Sequence, residues 1–218
     1  MGFSLSSAIT QMRGFLNEPV AAFWTDTELT FWLQEGVRDF SSKSLMVEAV
    51  GYITLAEDTL VYTSNEESFL ANVIEPYAAI YDDGSHNWKG LIKVHPRQMG
   101  HLLKAAAGDP LYYCLHARSI YIWPLTTAAI VTAGGQVKLL YAKQTDDITD
   151  LNDEFQHIPM LYACAKAKEK DQKFQEANAL MSQYVMMTNF ERADKHGREE
   201  DSYDMFKIKN VGGEAGAK

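Results

Sequence analysis

The sequence predicts an α+β protein. Its N- and C-terminal helices form a helical bundle, a central antiparallel β insertion interrupts them, and an extended C-terminal arm follows. Three observations predict this. Apolar residues recur at spacings of three and four over 4–46 and again over 150–193, the period of helices with one buried face. Over 47–143 the pattern changes to alternation and short runs bounded by turn residues, the period of strands. Residues 194–218 are rich in charge and glycine and keep neither period. The chain has 218 residues, 46% hydrophobic and 22% charged, enough to bury a sizeable core and too apolar for wholesale disorder. Its 20 Lys and Arg against 29 Asp and Glu give a net charge of −9, which excludes a basic nucleic-acid grip over the whole surface.

The first helix is expected over Ser6–Asn17, with Leu5, Ile9, Met12 and Leu16 on one stripe and Asn17-Glu18-Pro19 ending it. Thr25 and Glu28 match the S/T-x-x-E capping box of a second helix, with Trp24 placed to staple onto Leu29. Leu29, Trp32, Leu33, Gly36, Val37 and Phe40 share its apolar face. Glycine there costs about 1 kcal/mol of helix propensity, and a close helix crossing at Gly36 would offset it. Residues 50–55 and 59–63 read as a hairpin around Ala56-Glu57-Asp58. Residues 73–81 and 88–94 flank the turn signal Asp82-Asp83-Gly84-Ser85, and 111–116 and 119–123 flank Ala117-Arg118. A further strand over 137–142 follows Gly134-Gly135, and Pro96–Leu103 suits a short helix. Asp150, Asp153 and Glu154 precede a helix with Pro159 in its first turn; 167–172 reads as a polar loop or an exposed stretch. From Phe174 a broad stripe runs through Ala177, Leu180, Met181, Tyr184, Val185, Met187 and Phe190. It is wide enough for two partners, so Phe174, Met181, Tyr184 and Met187 are the candidate inter-subunit face.

Chemistry is nearly absent. The six histidines form neither H-x-H nor H-E-x-x-H, and Cys114 and Cys164 have no ligand partner at zinc spacing. The cysteines read as reduced, buried thiols of a chain made in a cytoplasm. No G-x-S-x-G, Walker A or G-x-G-x-x-G occurs. The pairs Glu66-Glu67, Asp82-Asp83 and Asp146-Asp147 lie in turns, where solvated loops are a better reading than a glycosidase dyad. Cys114 and His116 share a strand face, the spacing of a nucleophile and base, against the plainer reading of a buried thiol beside an edge histidine. No catalytic residue, cofactor or metal is expected. No apolar run approaches the roughly 20 residues of a membrane span, and Met1–Leu5 lacks the basic region of a secretory signal, so no membrane partner is expected. In the arm, Tyr203, Met205, Phe206 and Ile208 are the anchors expected to dock onto another protein, weighed against an arm packed on its own domain.

The layout resembles the head-to-tail adaptor (connector) proteins of tailed bacteriophages. Thr25-Asp26-Thr27-Glu28-Leu29-Thr30-Phe31-Trp32-Leu33-Gln34-Glu35-Gly36 is similar to the family's acidic helix start and Trp-Leu-Asn-x-Ala-type helix, with Gln34 and Gly36 in the Asn and Ala places. Gly108-Asp109-Pro110-Leu111-Tyr112-Tyr113 and Ser119-Ile120-Tyr121-Ile122-Trp123-Pro124 resemble its Gly-x-Pro strand and its aliphatic strand ending in Pro. Val137–Tyr141, then Ile158-Pro159 with Tyr162, resemble its closing strand and Leu-Pro helix. The resemblance covers roughly residues 25–165, in order and spacing more than in any single motif. It implies a homo-oligomeric ring, usually of twelve copies, under the portal protein, with a C-terminal arm reaching into the portal. It also implies a tail or nozzle protein below and double-stranded DNA passing through a channel without sequence-specific binding, in the neck of the virion. Three other readings compete. A stopper or tail terminator would be mostly β without terminal helices. A cell-wall glycan hydrolase would use Glu66, Glu67, Asp82 and Asp83, and a carbohydrate-binding module would use Trp88, Tyr112 and Trp123.

Overall fold

The computed structural model describes residues 4–85, 87–98 and 107–211, with side chains through Lys195. The chain divides into two compact units, Met1–Val47 with Thr145–Lys218, and Glu48–Gln144.

The first unit is helical. Helix α1 (Leu5–Leu16) is capped by the Ser4 hydroxyl, which accepts from the Ser7 N–H, and ends on Asn17 at φ 58°. Helix α2 (Asp26–Ser44) opens with the expected capping box, both of its hydrogen bonds being present. Trp24 and Leu29 are buried in the same cluster. Helix α4 (His157–Lys170) follows the β unit and a 3-10 turn over Ile148–Asp150. Helix α5 (Phe174–Val211) is the longest element, 38 residues and roughly 57 Å. Helix α2 packs on α4 and α5, α4 packs on α5, and α1 packs on α2 and α4. Ile9, Leu33, Val37, Phe40, Ile158, Ala163 and Leu180 meet in one core.

Gly36 lies at the crossing of α2 and α4. A Cβ built there would stand 2.9 Å from the Pro159 carbonyl oxygen and 3.1 Å from Tyr162 Cβ. The glycine that weakens α2 as a lone helix is what lets α4 approach, as the sequence suggested.

Two expectations for this unit are corrected. Residues 167–170 are helix rather than loop; the alternative of an exposed stretch holds at Glu169, Lys170 and Gln172 but not at Ala167 and Lys168, and α4 stops at Asp171, with Gln172 at φ 59°. The reason is packing: Ala167 and Lys168 are buried, and Lys168 pairs with Glu176 at 2.8 Å. The break expected at 194 is also absent, since the backbone stays helical through Val211. Lys195, the first lysine of that segment, is buried, and its Nζ donates to the Leu45 carbonyl at the α2 C-terminus.

Charge fixes the start of α2. Arg13 is buried, and its guanidinium donates to Asp26 Oδ1 (2.6 and 3.0 Å) and to the Trp24 carbonyl (2.9 Å). Glu18 Oε1 accepts from the Ala22, Phe23 and Trp24 amides. Desolvation works to raise the Glu18 pKa, but these three amides and Arg13 outweigh it and hold the carboxyl below its ordinary range. Glu28 receives Lys170 Nζ at 2.7 Å together with the Thr25 N–H and hydroxyl, and these lower its pKa to about 2. Both groups bind protons less readily in the folded chain. Their stabilisation is therefore complete above about pH 4.5 and lost as pH falls through the folded values, for Glu28 near 2. Melting temperature is expected to drop across that window, and Glu28→Gln should flatten the drop.

The second unit holds two four-stranded sheets. Strands β1 (Glu48–Thr54), β8 (Gln136–Lys143), β3 (Val73–Asp82) and β4 (Trp88–Gly90) form an antiparallel sheet in the order β1-β8-β3-β4. Strands β2 (Val61–Thr63), β7 (Ser119–Trp123), β6 (Tyr112–His116) and β5 (Ile92–Lys93) form the other in that order, with β5 and β6 parallel. Ile53, Ala79, Tyr81, Val137 and Leu139 of the first and Tyr62, Tyr113, Ile120 and Ile122 of the second share one core. A short helix α3 (Ala128–Thr132) precedes β8.

The β6–β7 hairpin forms as expected, with Ala117 (φ 49°) and Arg118 (φ 60°) both in the left-handed region that a two-residue turn requires. The β3–β4 hairpin also forms. The 50–63 hairpin does not: β1 pairs with β8 and β2 with β7, in different sheets. The intervening backbone is satisfied elsewhere. The Asp58 N–H donates to the Thr126 carbonyl, the Thr126 hydroxyl to the Ala56 carbonyl, and the Ala56 N–H to the Tyr62 hydroxyl. The insertion is thus antiparallel except at β5–β6. The helix expected at 96–103 is a 3-10 turn over Pro96–Gln98, and 99–103 lie outside the described residues.

Candidate interaction surfaces

The acid pairs are held by separate local bonds, several of them within turns, and do not converge on one another. Glu66 Oε2 accepts from the Thr63 N–H (2.9 Å), and Glu67 Oε1 from the Thr54 N–H (3.2 Å). Asp82 Oδ1 accepts from the Gly84 N–H, and Asp83 from the Ser85 N–H and the Asn87 side chain. The Asn87 and Ser85 bonds hold Asp83 below the ordinary carboxylate range, opposite to what a general acid needs. Asp146 pairs with Arg38 at 2.9 Å, and Asp147 caps Thr149.

The thiols are no better placed. Cys114 is buried, and desolvation raises its pKa; burial pushes Cys164 up to about 12. His116 is exposed at its strand end. Among the described residues no group of three or more His, Cys, Asp or Glu converges, and no helix is long and apolar enough to cross a membrane. Trp123 is 2% exposed, with Tyr121 stacked on it at 5.9 Å, so this pair builds the β unit; of the other two rings of the carbohydrate reading, Trp88 is 50% exposed and Tyr112 half-buried.

The expected inter-subunit residues separate by their position around α5. Phe174 is 59% exposed. Met181 and Met187 are half-buried against the unit's own core. Tyr184 is a correction: it is 1% exposed, its ring meets Tyr162 edge-on at 5.3 Å, and its hydroxyl donates to Asp39 Oδ2 at 2.6 Å. It faces α2 and α4 because 177, 180, 184 and 188 form the buried row of α5. Burial, then the Asp39 carboxylate, drive its pKa well above the ordinary phenol range. The exposed row instead carries Val185, Met186 (66%) and Phe190 (69%). Tyr203, Met205, Phe206 and Ile208 lie on the helical backbone of α5, and their side chains lie outside the described residues.

Two helix surfaces share an unusual lack of charge. From Ala177 to Phe190, α5 contains no Asp, Glu, Lys or Arg. In α1 the one charged residue is Arg13, turned inward to Asp26 and Trp24. Between α1 and α4 lies an open apolar groove of about 450 Å³, lined by residues that include Gly14, Phe15, His157, Met160, Leu161 and Cys164. Phe15 stands 56% exposed at its rim. Exposed apolar residues grouped in this way mark surfaces that meet other macromolecules. The signal that locates them in the sequence is the charge-free run; the inward turn of Arg13 is visible only in three dimensions.

No curated protein matches the sequence. A family model does: that of the SU10 adaptor protein matches residues 3–204, nearly the whole chain, and agrees with the resemblance to phage head-to-tail adaptors. The match takes in the α1 and α5 surfaces as well as the β unit, and by it the chain belongs to the SU10 adaptor protein family.

Proposed function

We propose that this adaptor assembles as a ring, of twelve copies by the resemblance above, beneath the portal of a phage capsid, joining the vertex to the tail in the neck of the virion. The observation that carries the reading is the family match across residues 3–204. The uncharged surfaces of α1 and α5, with Phe15, Met186 and Phe190 exposed on them, support it, because an isolated chain gains nothing by exposing such side chains. The role is structural: the ring binds portal above and a tail or nozzle protein below. Tyr203, Met205, Phe206 and Ile208 are the proposed portal contacts, on a helical segment that continues α5. A net charge of −9 per copy, repeated around the ring, gives a field that lets double-stranded DNA pass without adhering. The test is the mass of the assembled species, measured by native mass spectrometry with and without purified portal protein. A multi-copy particle that includes portal is expected; a stable monomer that ignores portal overturns the reading.

A further inference from the structure

We propose that the groove between α1 and α4 receives the Met186–Phe190 edge of α5 from a second copy of this chain. The proposal rests on the ring reading and names the surfaces that would close the ring.

Helices α1 and α5 each pack on the α2–α4 pair, and any contact between α1 and α5 themselves is slighter than those. Two helices that flank one pair in this way occupy its two sides. The apolar ridge and the apolar groove therefore look away from each other on one unit. A copy cannot fill its own groove, and two copies cannot satisfy both sites at once by a two-fold axis. Ridge into groove is a heterologous contact, which repeats from copy to copy into a closed ring or a filament.

Charge selects the occupant. Each copy carries −9, so copies repel wherever carboxylates meet. The groove lining contains no Asp, Glu, Lys or Arg, and α5 has none over 177–190. A partner of different composition is best recognised by opposite charge. An identical acidic partner is best met by surfaces with no charge, and charge depletion is what interface cores show.

Met186 and Phe190 are one turn apart on the same side of α5, both about two-thirds exposed. The groove, about 450 Å³, has the volume for an aromatic and a thioether side chain together. A standard interface buries about 800 Å² per partner. One such insertion supplies part of that, and ring closure gives every copy two.

The experiment uses the full chain under the condition in which the wild type assembles, alone or on purified portal. The ridge variant is Met186→Glu with Phe190→Glu; the groove variant is Gly14→Glu, whose Cβ meets nothing within 4 Å in the free chain. Each variant alone is expected to lose assembly at least tenfold. Mixed without portal, they are expected to form a 1:1 dimer and nothing larger, because each still carries the site the other lacks. Variants that assemble like the wild type overturn this contact and leave the ring reading standing. A mixture that stays monomeric where the wild type assembles without portal, while both variants melt like the wild type, also overturns it. If melting falls, Met186→Ser with Phe190→Ser and Gly14→Gln replace them, with the same expectations. A wild type that stays monomeric with and without portal overturns the ring reading and the contact together.

Discussion

Replacing Gly36 by leucine is expected to destabilise the helical unit by about 3 kcal/mol, the upper end of what overpacked cores show. The cause is local and rigid. The atom nearest a new Cβ is the Pro159 carbonyl oxygen at 2.9 Å, part of the α4 backbone and not a side chain that can swing away. Tyr162 Cβ and Cδ1 stand at 3.1 Å. Helix α4 must therefore move off α2, which opens the core around Leu33, Val37 and Phe40. At about 3 °C per kcal/mol for a chain of this size, melting falls by roughly 9 °C. Gly36→Ala should lose less, because alanine returns about 1 kcal/mol of helix propensity to α2. An unchanged melting temperature for the leucine variant would mean that the two helices do not cross at this residue.

Trp24→Ala is expected to cost about 3–5 kcal/mol, the range for emptying a buried aromatic site. Trp24 is 5% exposed, its Nε1–H donates to the Ala167 carbonyl at 3.0 Å, and Phe23 meets its ring edge-on. Its own carbonyl accepts from Arg13 and its N–H donates to Glu18. One residue thus joins the end of α1, the start of α2 and the last turns of α4. Trp24→Phe keeps most of the packing and loses one hydrogen bond, so it should cost about 1 kcal/mol beyond the volume change. Thermal denaturation of the two variants separates packing from hydrogen bonding.

What the sequence made legible is what depends on neighbours along the chain. The Thr25–Glu28 capping box, the Ala117-Arg118 turn and the buried stripe of α2 are each set by residues within a few positions of one another. Gly36 was readable too, because a glycine on an apolar helix face needs a reason and a close crossing is the usual one. Strand partners were not readable in the same way. Alternation identifies 50–55 as a strand, but β1 pairs with β8 rather than β2, and the Ala56–Asp58 backbone between β1 and β2 bonds Thr126, a contact distant in sequence. The polar 167–172 segment misleads because Lys168 hides its stem and pairs its charge with Glu176.

The candidate surface was half legible. A stripe as broad as that of α5 announces more than one partner without saying which row faces inward. Tyr184 looked like surface and is core, while Met186, one position beyond Val185, is among the most exposed apolar residues of the helix. The neutrality of α1 was hidden for a different reason: Arg13 reads as a surface charge until Asp26 and the Trp24 carbonyl are seen to enclose it.

Phe15, Met186 and Phe190 are bare in the lone chain and, by the proposed contact, covered in the assembled particle. Oxidative footprinting of these side chains in both states tests that most directly. Strong labelling of all three in the free chain and at least a several-fold loss in assembled particles is the predicted result. Equal labelling in the two states would contradict it.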